Sequence, residues 1–326
     1  NNIAIGSGSL ATNVDGDNNI AIGQRALAVF EPSDGDGDNV AIGSWAGALV
    51  TGINNVMIGT DAMYAANTLN SNVAVGYRAM MSATGASQNT IIGERAADAL
   101  TTGDGNVAIG TQALGSSTDV DQTVCIGKDA GGAAMGTGCD GSIFIGKDAG
   151  ASEQSGTGGV FIGYRAGVTS NGYDGNTIVG YEAGEDMNER NNTLIGYKAG
   201  KEITNNKYTT VVGSEAFMSE DQGADGVTAI GYQALTAQNN NSAHYNVAVG
   251  MQAMSASVQM TNTVAVGKAA LGTCTDGDYN TVLGNNAMIG AAASNKNPSH
   301  NVAIGYDAYK NVDLNGDGNN TVIGDE

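Results

Sequence analysis

Hydrophobic positions along this chain come in bursts of three, each closed by a glycine and separated from the next by a polar stretch. The closing glycine recurs 19 times, from Gly6, Gly23 and Gly43 through to Gly305 and Gly324. Ten of the 18 intervals are 17 residues and the rest run from 16 to 21, so the repeat is a single structural unit with one elastic segment. The residue before the glycine is Ile or Val in 18 copies and Leu283 in the other. Two positions further back stands Ile, Val or Thr, as in Ile3, Val40 and Thr177. Side chains alternate across a strand, so these two positions share one face and the apolar residue between them points the other way. β-Branched pairs favour extended backbone, which predicts a short strand in every copy. The glycine predicts a corner with positive φ or a close approach of backbone.

Two further positions keep register with the strand. Asn stands four before the glycine in 13 of 19 copies, which predicts a ladder of amides bonded from one coil to the next. Ala stands three after the glycine in 17 of 18 complete copies, with Ser9 the exception, which predicts a tight site where coils or chains meet. All variation in length falls between that Ala and the next Asn position, so insertions emerge as loops on one side. The longest are near Phe30–Asp38 and Ile289–His300. Short parallel strands with regular corners predict a β-solenoid of about 19 coils, which at about 4.8 Å per coil would be on the order of 85 Å long. The chain is read as one continuous repeat domain over residues 1–326. It opens at Asn1 in mid-repeat and closes at Glu326 just after a repeat glycine, so it is expected to be a segment of a longer protein.

Composition agrees with a thin, repeated core. Gly makes up 50 of 326 residues, aromatics are 5% and charged residues 14%, too few large side chains for a thick globular core. The net charge of −20 argues against nucleic acid and anionic membranes as partners, since both need a basic face. No apolar run is long enough to span a membrane. Cys125, Cys139 and Cys274 are odd in number and fit no metal or disulfide spacing; Cys125, inside a strand, reads as a small core residue. Both faces of every strand are apolar, and a lone solenoid can bury only one of them. The outward row is therefore expected to be covered, by a second copy of the chain in a homo-oligomer or by the chain's own loops in a flattened solenoid.

The Asn-x-Ala-Ile-Gly-x-x-Ala unit resembles the β-roll heads of trimeric autotransporter adhesins. Segments such as Asn176–Gly184 (NTIVGYEAG), Val160–Gly167 (VFIGYRAG) and Asn301–Ala308 (NVAIGYDA) are closer still to repeats of phage tail-fibre proteins and related bacterial surface fibres. The likeness covers the whole chain. It implies a left-handed parallel β-roll, association into a homotrimer, and a role in adhesion or reach. The period departs from the adhesin heads, being longer, and no coiled-coil stalk, membrane anchor or terminal chaperone is present in the sequence.

Candidate chemistry is sparse. Asp313, Asn315, Asp317 and Gly318 match the opening of a calcium loop without its distal Glu, and Asp34, Asp36 and Asp38 repeat the alternation. Asp-Gly is equally the chemistry of tight turns, and both readings stand. Tyr follows the repeat glycine six times, and Tyr164, Tyr181 and Tyr197 fall on consecutive coils. They read either as an exposed stripe for stacking sugar rings or as a ladder that braces neighbouring coils. Trp45, the only tryptophan, takes a normally polar position, so it reads as a partner contact or as packing under the Phe30–Asp38 loop. His244 and His300 are isolated, and no nucleophile recurs with either, so no enzymatic activity is expected. The reading that results is a structural fibre or adhesin shaft, extracellular on a virion or cell surface. Its partners would be itself and a host-surface glycan or protein, and calcium is the only cofactor suggested. The alternative is a self-assembling extracellular filament.

Overall fold

The computed structural model describes residues 1–30, 37–65, 68–133, 135, 139–170, 174–218, 223–236, 244–290, 299–310 and 318–325. It is an all-β parallel solenoid, with no α-helix among the described residues. The chain divides into two compact units, Asn1–Ile162 and Gly163–Glu326. The first holds ten three-residue strands, from β1 (Ile3–Ile5) to β10 (Val160–Ile162). The second holds nine, from β11 (Thr177–Val179) to β19 (Thr321–Ile323).

Within each unit a strand pairs in parallel with its successor, and equivalent residues face one another. In the first unit Val107 meets Val124, Ala108 meets Cys125 and Ile109 meets Ile126. In the second, Thr193 meets Thr210, Leu194 meets Val211 and Ile195 meets Val212. The middle residue of the strand is the inward one. Ala21, Met57, Cys125, Phe161 and Val282 are all buried, as are the alanines after the glycine, among them Ala26, Ala79 and Ala234. That Ala therefore lines the core inside its own chain. The β-branched pair faces outward and stays partly exposed.

The core is thin enough that adjacent positions trade volume. Where the middle residue is Ala, the position four after the glycine is often large, as Ala74 with Met80 and Ala108 with Leu114 show. Where the middle residue is Phe144, Ile178 or Leu194, that position is Gly150, Gly184 or Gly200. A Cβ on Gly150 would run into the Phe144 ring, and one on Gly184 would lie 2.6 Å from Leu194 Cδ1. Volume is traded within a coil or with the coil beside it, as where Met57 fills the space next to Gly47, in keeping with close packing.

The repeat glycine is required twice over. Gly110 has φ of 136°, and a Cβ there would lie 2.6 Å from the carbonyl oxygen of Gly127 in the next coil. Three other positions per coil take the left-handed conformation with ordinary residues. Arg25 (φ 57°), Leu27 (φ 46°) and Asn54 (φ 62°) illustrate them. Their N–H groups turn along the stacking direction and are satisfied there. Arg25 donates to Ser7 O at 2.9 Å, and Leu27 donates to Ala46 O at 3.0 Å. Strain of about 1–2 kcal/mol per left-handed residue is tolerated because these buried donors would otherwise be unpaired.

The predicted Asn ladder forms and does more than join amides. Asn55, Asn72, Asn89 and Asn106 are buried. The Oδ1 of Asn72 accepts from the backbone N–H of Asn89 at 2.9 Å and from its Nδ2 at 3.1 Å. Asn89 Nδ2 also donates to Gly103 O at 2.9 Å, tying down the following loop. Thr substitutes where the ladder lacks Asn. Thr123 N–H donates to Asn106 Oδ1 at 2.9 Å and its hydroxyl donates to Cys139 O at 3.2 Å.

A second ladder runs on the loop side, two positions before the Asn and in the opposite sense. Ser87 N–H donates to Asp104 Oδ1 at 2.6 Å, Asp104 N–H to Asp121 Oδ1 at 2.7 Å, and Asp121 N–H to Asp140 Oδ1 at 2.9 Å. Lys207, Asp225 and Thr261 repeat it in the second unit, donating to Asp225, His244 and Asp278. Many loop acids are thus backbone acceptors.

Two predictions follow from this geometry. Gly110→Ala should cost about 3 kcal/mol or more, because strain and backbone contact add, whereas Gly141→Ala, with open space around it, should cost about 1 kcal/mol. Chemical denaturation of the two variants separates them, and equal midpoints would refute the corner argument. Asn89→Ala should cost about 3 kcal/mol by stranding the Asn106 N–H and the Gly103 carbonyl, and Asn89→Thr clearly less. Hydrogen exchange at the Asn106 amide should rise in the first variant and hold in the second.

Candidate functional site

Three surface features can bear function: the outward strand face, a tyrosine column and the surroundings of Trp45. The outward face carries two parallel rows of β-branched side chains. Ile42, Ile92 and Ile109 belong to it in the first unit, and Ile195, Ile230 and Val266 in the second. Ile92, Ile195 and Ile230 are each 38% exposed, so the described loops of the chain leave these rows open. No charged residue interrupts either row, because each strand offers only Ile, Val, Leu or Thr there. An exposed apolar surface of this kind is a candidate association site.

The tyrosine column occupies the position after the repeat glycine. Tyr164 and Tyr181 stack at 5.0 Å between ring centroids and 20° between planes, and Tyr181 and Tyr197 at 5.5 Å and 19°. The rings thus form a cross-coil ladder, and both faces of Tyr181 are taken by its neighbours. What the column offers outward is ring edges and hydroxyls. Beside it lies a charge network. Lys201 Nζ donates to Glu182 Oε2 at 2.6 Å and lies 3.3 Å from Glu185 Oε2, while Arg165 reaches Glu185 Oε1 at 2.6 Å. The Tyr181 hydroxyl also donates to Glu182, which raises the tyrosine's pKa. The Lys201 bond holds the Glu182 carboxyl below its ordinary range, and the same bond raises the Lys201 ammonium. This network was missed in the sequence, where Glu182, Glu185, Lys198 and Lys201 look like scattered surface charges. Their spacing of roughly one coil is the signal that could have shown it.

Trp45 takes a left-handed conformation (φ 60°) in a column held elsewhere by polar side chains such as Asp61, Arg78, Gln112 and Asp129. The Arg25 guanidinium lies 4.5 Å from the centre of its ring, and Tyr64 meets it edge-on at 5.7 Å and 62°. The indole is partly exposed between two hollows. One, of about 480 Å³, has an apolar lining that includes Val29, Leu49 and Ala48; the other, of about 290 Å³, is bordered by Asp61, Arg78 and Met81.

Asp313, Asn315, Asp317, Asp34 and Asp36 lie outside the described residues, as does any packing of Trp45 under 31–36. Asp38 is described: it is exposed, takes φ of 49°, precedes buried Asn39, and donates its N–H to Asp17 O at 3.3 Å. Among the described residues no three His, Cys, Asp or Glu converge as a metal site. All three cysteines are buried and none forms a disulfide, and burial pushes the Cys139 thiol up to about 12 and Cys125 further. Neither of these two is poised as a thiolate. No helix among the described residues is long and apolar enough to cross a membrane.

The charge network generates a pH prediction. Glu182 is depressed, so its stabilisation is present above the ordinary glutamate value, about 4.3, and is lost as pH falls through its folded value. Lys201 is raised, so its share persists below the ordinary lysine value, about 10.4, and disappears as pH rises through its folded value. The melting temperature of Glu182→Gln should therefore fall below that of the unaltered chain between about pH 5 and 9 and converge with it in acid. A constant offset down to pH 2 would show that packing, and not the ion pair, carries the effect. Compared with known proteins, this chain matches no protein-family model and no curated protein.

Proposed function

We propose that this chain is a structural segment of an extracellular fibre, of the phage tail-fibre or bacterial surface-adhesin kind, and that it works as a homotrimer. The observation that carries the reading is the open pair of outward aliphatic rows. They lie in register within each unit and, among the described residues, form an apolar surface that repeats from coil to coil. Chains that share them along a common axis would hide on each strand a second face as apolar as its first. Burial at about 25 cal/mol per Å² makes such a seam strongly favourable over many coils. The repeat likeness to phage and bacterial fibres supports the same reading.

The mechanism in this reading is mechanical. Backbone ladders and amide columns resist bending and extension, and loops on one side are free to vary without disturbing the strands. Attachment would fall to exposed side chains and loops, with a host-surface glycan or protein as partner. No step of catalysis is proposed for it.

The test is the mass of the dispersed protein by light scattering. A value three times the chain mass of 32.7 kDa is expected. Ile109→Glu, which places a charge on the outward row and none in the core, should lower that mass while sparing the circular dichroism of the strands. A monomer that stays dispersed at high concentration would overturn the proposal.

A further inference from the structure

We infer that the groove beside Trp45 binds an acidic saccharide unit, a uronate or sialate residue of a surface glycan. The inference deepens the attachment role proposed above and rests on it for its biological setting, although the site itself lies within one chain.

The argument begins with a break in the repeat. The position two after the glycine is polar in the neighbouring coils, where it offers Arg25, Asp61, Arg78 and Arg95. Its left-handed backbone suits small or polar residues and is strained for a large aromatic one. Trp45 packs no core there, and local rules broken without gain in packing point to function. Its ring and that of Tyr64 meet at 62°, forming a corner against which the apolar face of a pyranose ring can lie. Ala28 and Ala48 make a shallow floor, small enough for a ring to approach. The volume of about 480 Å³ suits one or two sugar units.

Charge selects the class of sugar. The chain carries −20 overall, yet among the described residues no carboxylate lines this groove and one guanidinium does. Arg25 is exposed, and no carboxylate among the described residues pairs with it, in contrast to Arg78, Arg95 and Arg165. Stacked on Trp45, it keeps its planar fork of donors in a fixed orientation, and a carboxylate takes such a fork in two parallel hydrogen bonds. Thr12 adds a hydroxyl for a ring substituent. A neutral sugar would leave the fork unused, and a bare carboxylate would leave the aromatic corner empty. None of the lining residues belongs to a strand, so association through the outward rows does not require this surface.

The chain's only tryptophan makes the test direct, because its fluorescence reports this site alone. The probes are sodium galacturonate, N-acetylneuraminate, galactose and acetate, at matched ionic strength. A saturable change is expected with at least one acidic sugar, and about tenfold or more weaker binding for galactose, for acetate and for Arg25→Gln, the size expected when one charge-assisted pair is lost. Tyr64→Ala should weaken the acidic sugar as well, and it carries the test if Arg25→Gln melts early. No saturable change with either acidic sugar overturns the inference, as do equal affinity in Arg25→Gln and a response to acetate alone. A fluorescence change that follows protein concentration instead of sugar would assign the groove to a neighbouring chain, which also overturns it. Light scattering on the same samples reads the oligomer separately, so a monomer that binds the sugar sinks only the fibre reading.

Discussion

Backbone touches backbone at the repeat glycine, and the rest of the coil is arranged around that contact. A side chain at Gly110 would occupy the space of the next coil's carbonyl, and the φ near 136° is closed to other residues. One strand therefore cannot slide on the next, because a shift of even one residue would bring a side chain into the gap. Once register is fixed at this corner, each position along the chain becomes a column. The elastic segment can lie only where no column needs it, between the buried Ala and the buried Asn. That is why lengths of 16 and 21 residues coexist with strands that never change.

A column imposes its own chemistry, since every side chain has its equivalents above and below it. Residues that pair with their own kind are favoured. Asn carries both donor and acceptor, so it can accept from the coil that follows while donating to that coil's loop. Tyrosines stack on tyrosines, and Val packs on Ile. Like charges repel, and the polar column after the corner, although it holds Arg78 next to Arg95 and Asp129 next to Asp148, elsewhere mixes signs and amides. Arg78 sits 3.7 Å from Asp61, Gln233 donates to Glu215 at 2.9 Å, and Asn286 donates to Asp307 at 2.9 Å. Pairs of this kind near the surface contribute little singly. Their value here is that they avoid the repulsion a uniform column would create.

This explains what could be read in the sequence and what could not. The strands, their parallel stacking, the glycine corner and the Asn ladder follow from residue types that have few other uses at fixed spacing. The left-handed residues do not follow, because Arg25, Leu27 and Tyr245 have no preference for that conformation; hydrogen bonds to a neighbouring coil impose it. The ladder formed by Asp104, Asp121 and Asp140 was hidden for a related reason. Asp in a glycine-rich loop reads equally as a turn or as a cation ligand, and only the N–H it accepts decides between turn and other roles. The exchange of volume between Leu194 and Gly200 was present in the sequence but needed the two positions to be known as neighbours. Of the candidate surfaces, the tyrosine column and Trp45 stood out by position, whereas the partners that give them meaning, Glu182, Lys201 and Arg25, come from coils a full repeat away.

The two outward rows differ in a way that bears on what covers them. In the row farther from the corner, 7 of the 19 residues are Thr, which keeps the shape of Val and adds a hydroxyl. In the row beside the corner no Thr occurs, and every residue is Ile, Val or Leu. Strand propensity alone cannot produce this difference, because Thr serves a strand as well as Val does. Nor can core packing, since both rows face away from the core. An environment that tolerates hydroxyls along one line and excludes them along a parallel line one residue pair away is graded from wetter to drier. Such a gradient is what the rim and centre of a buried seam impose. A surface left to water would have no reason to keep the second row free of polar atoms through 19 coils.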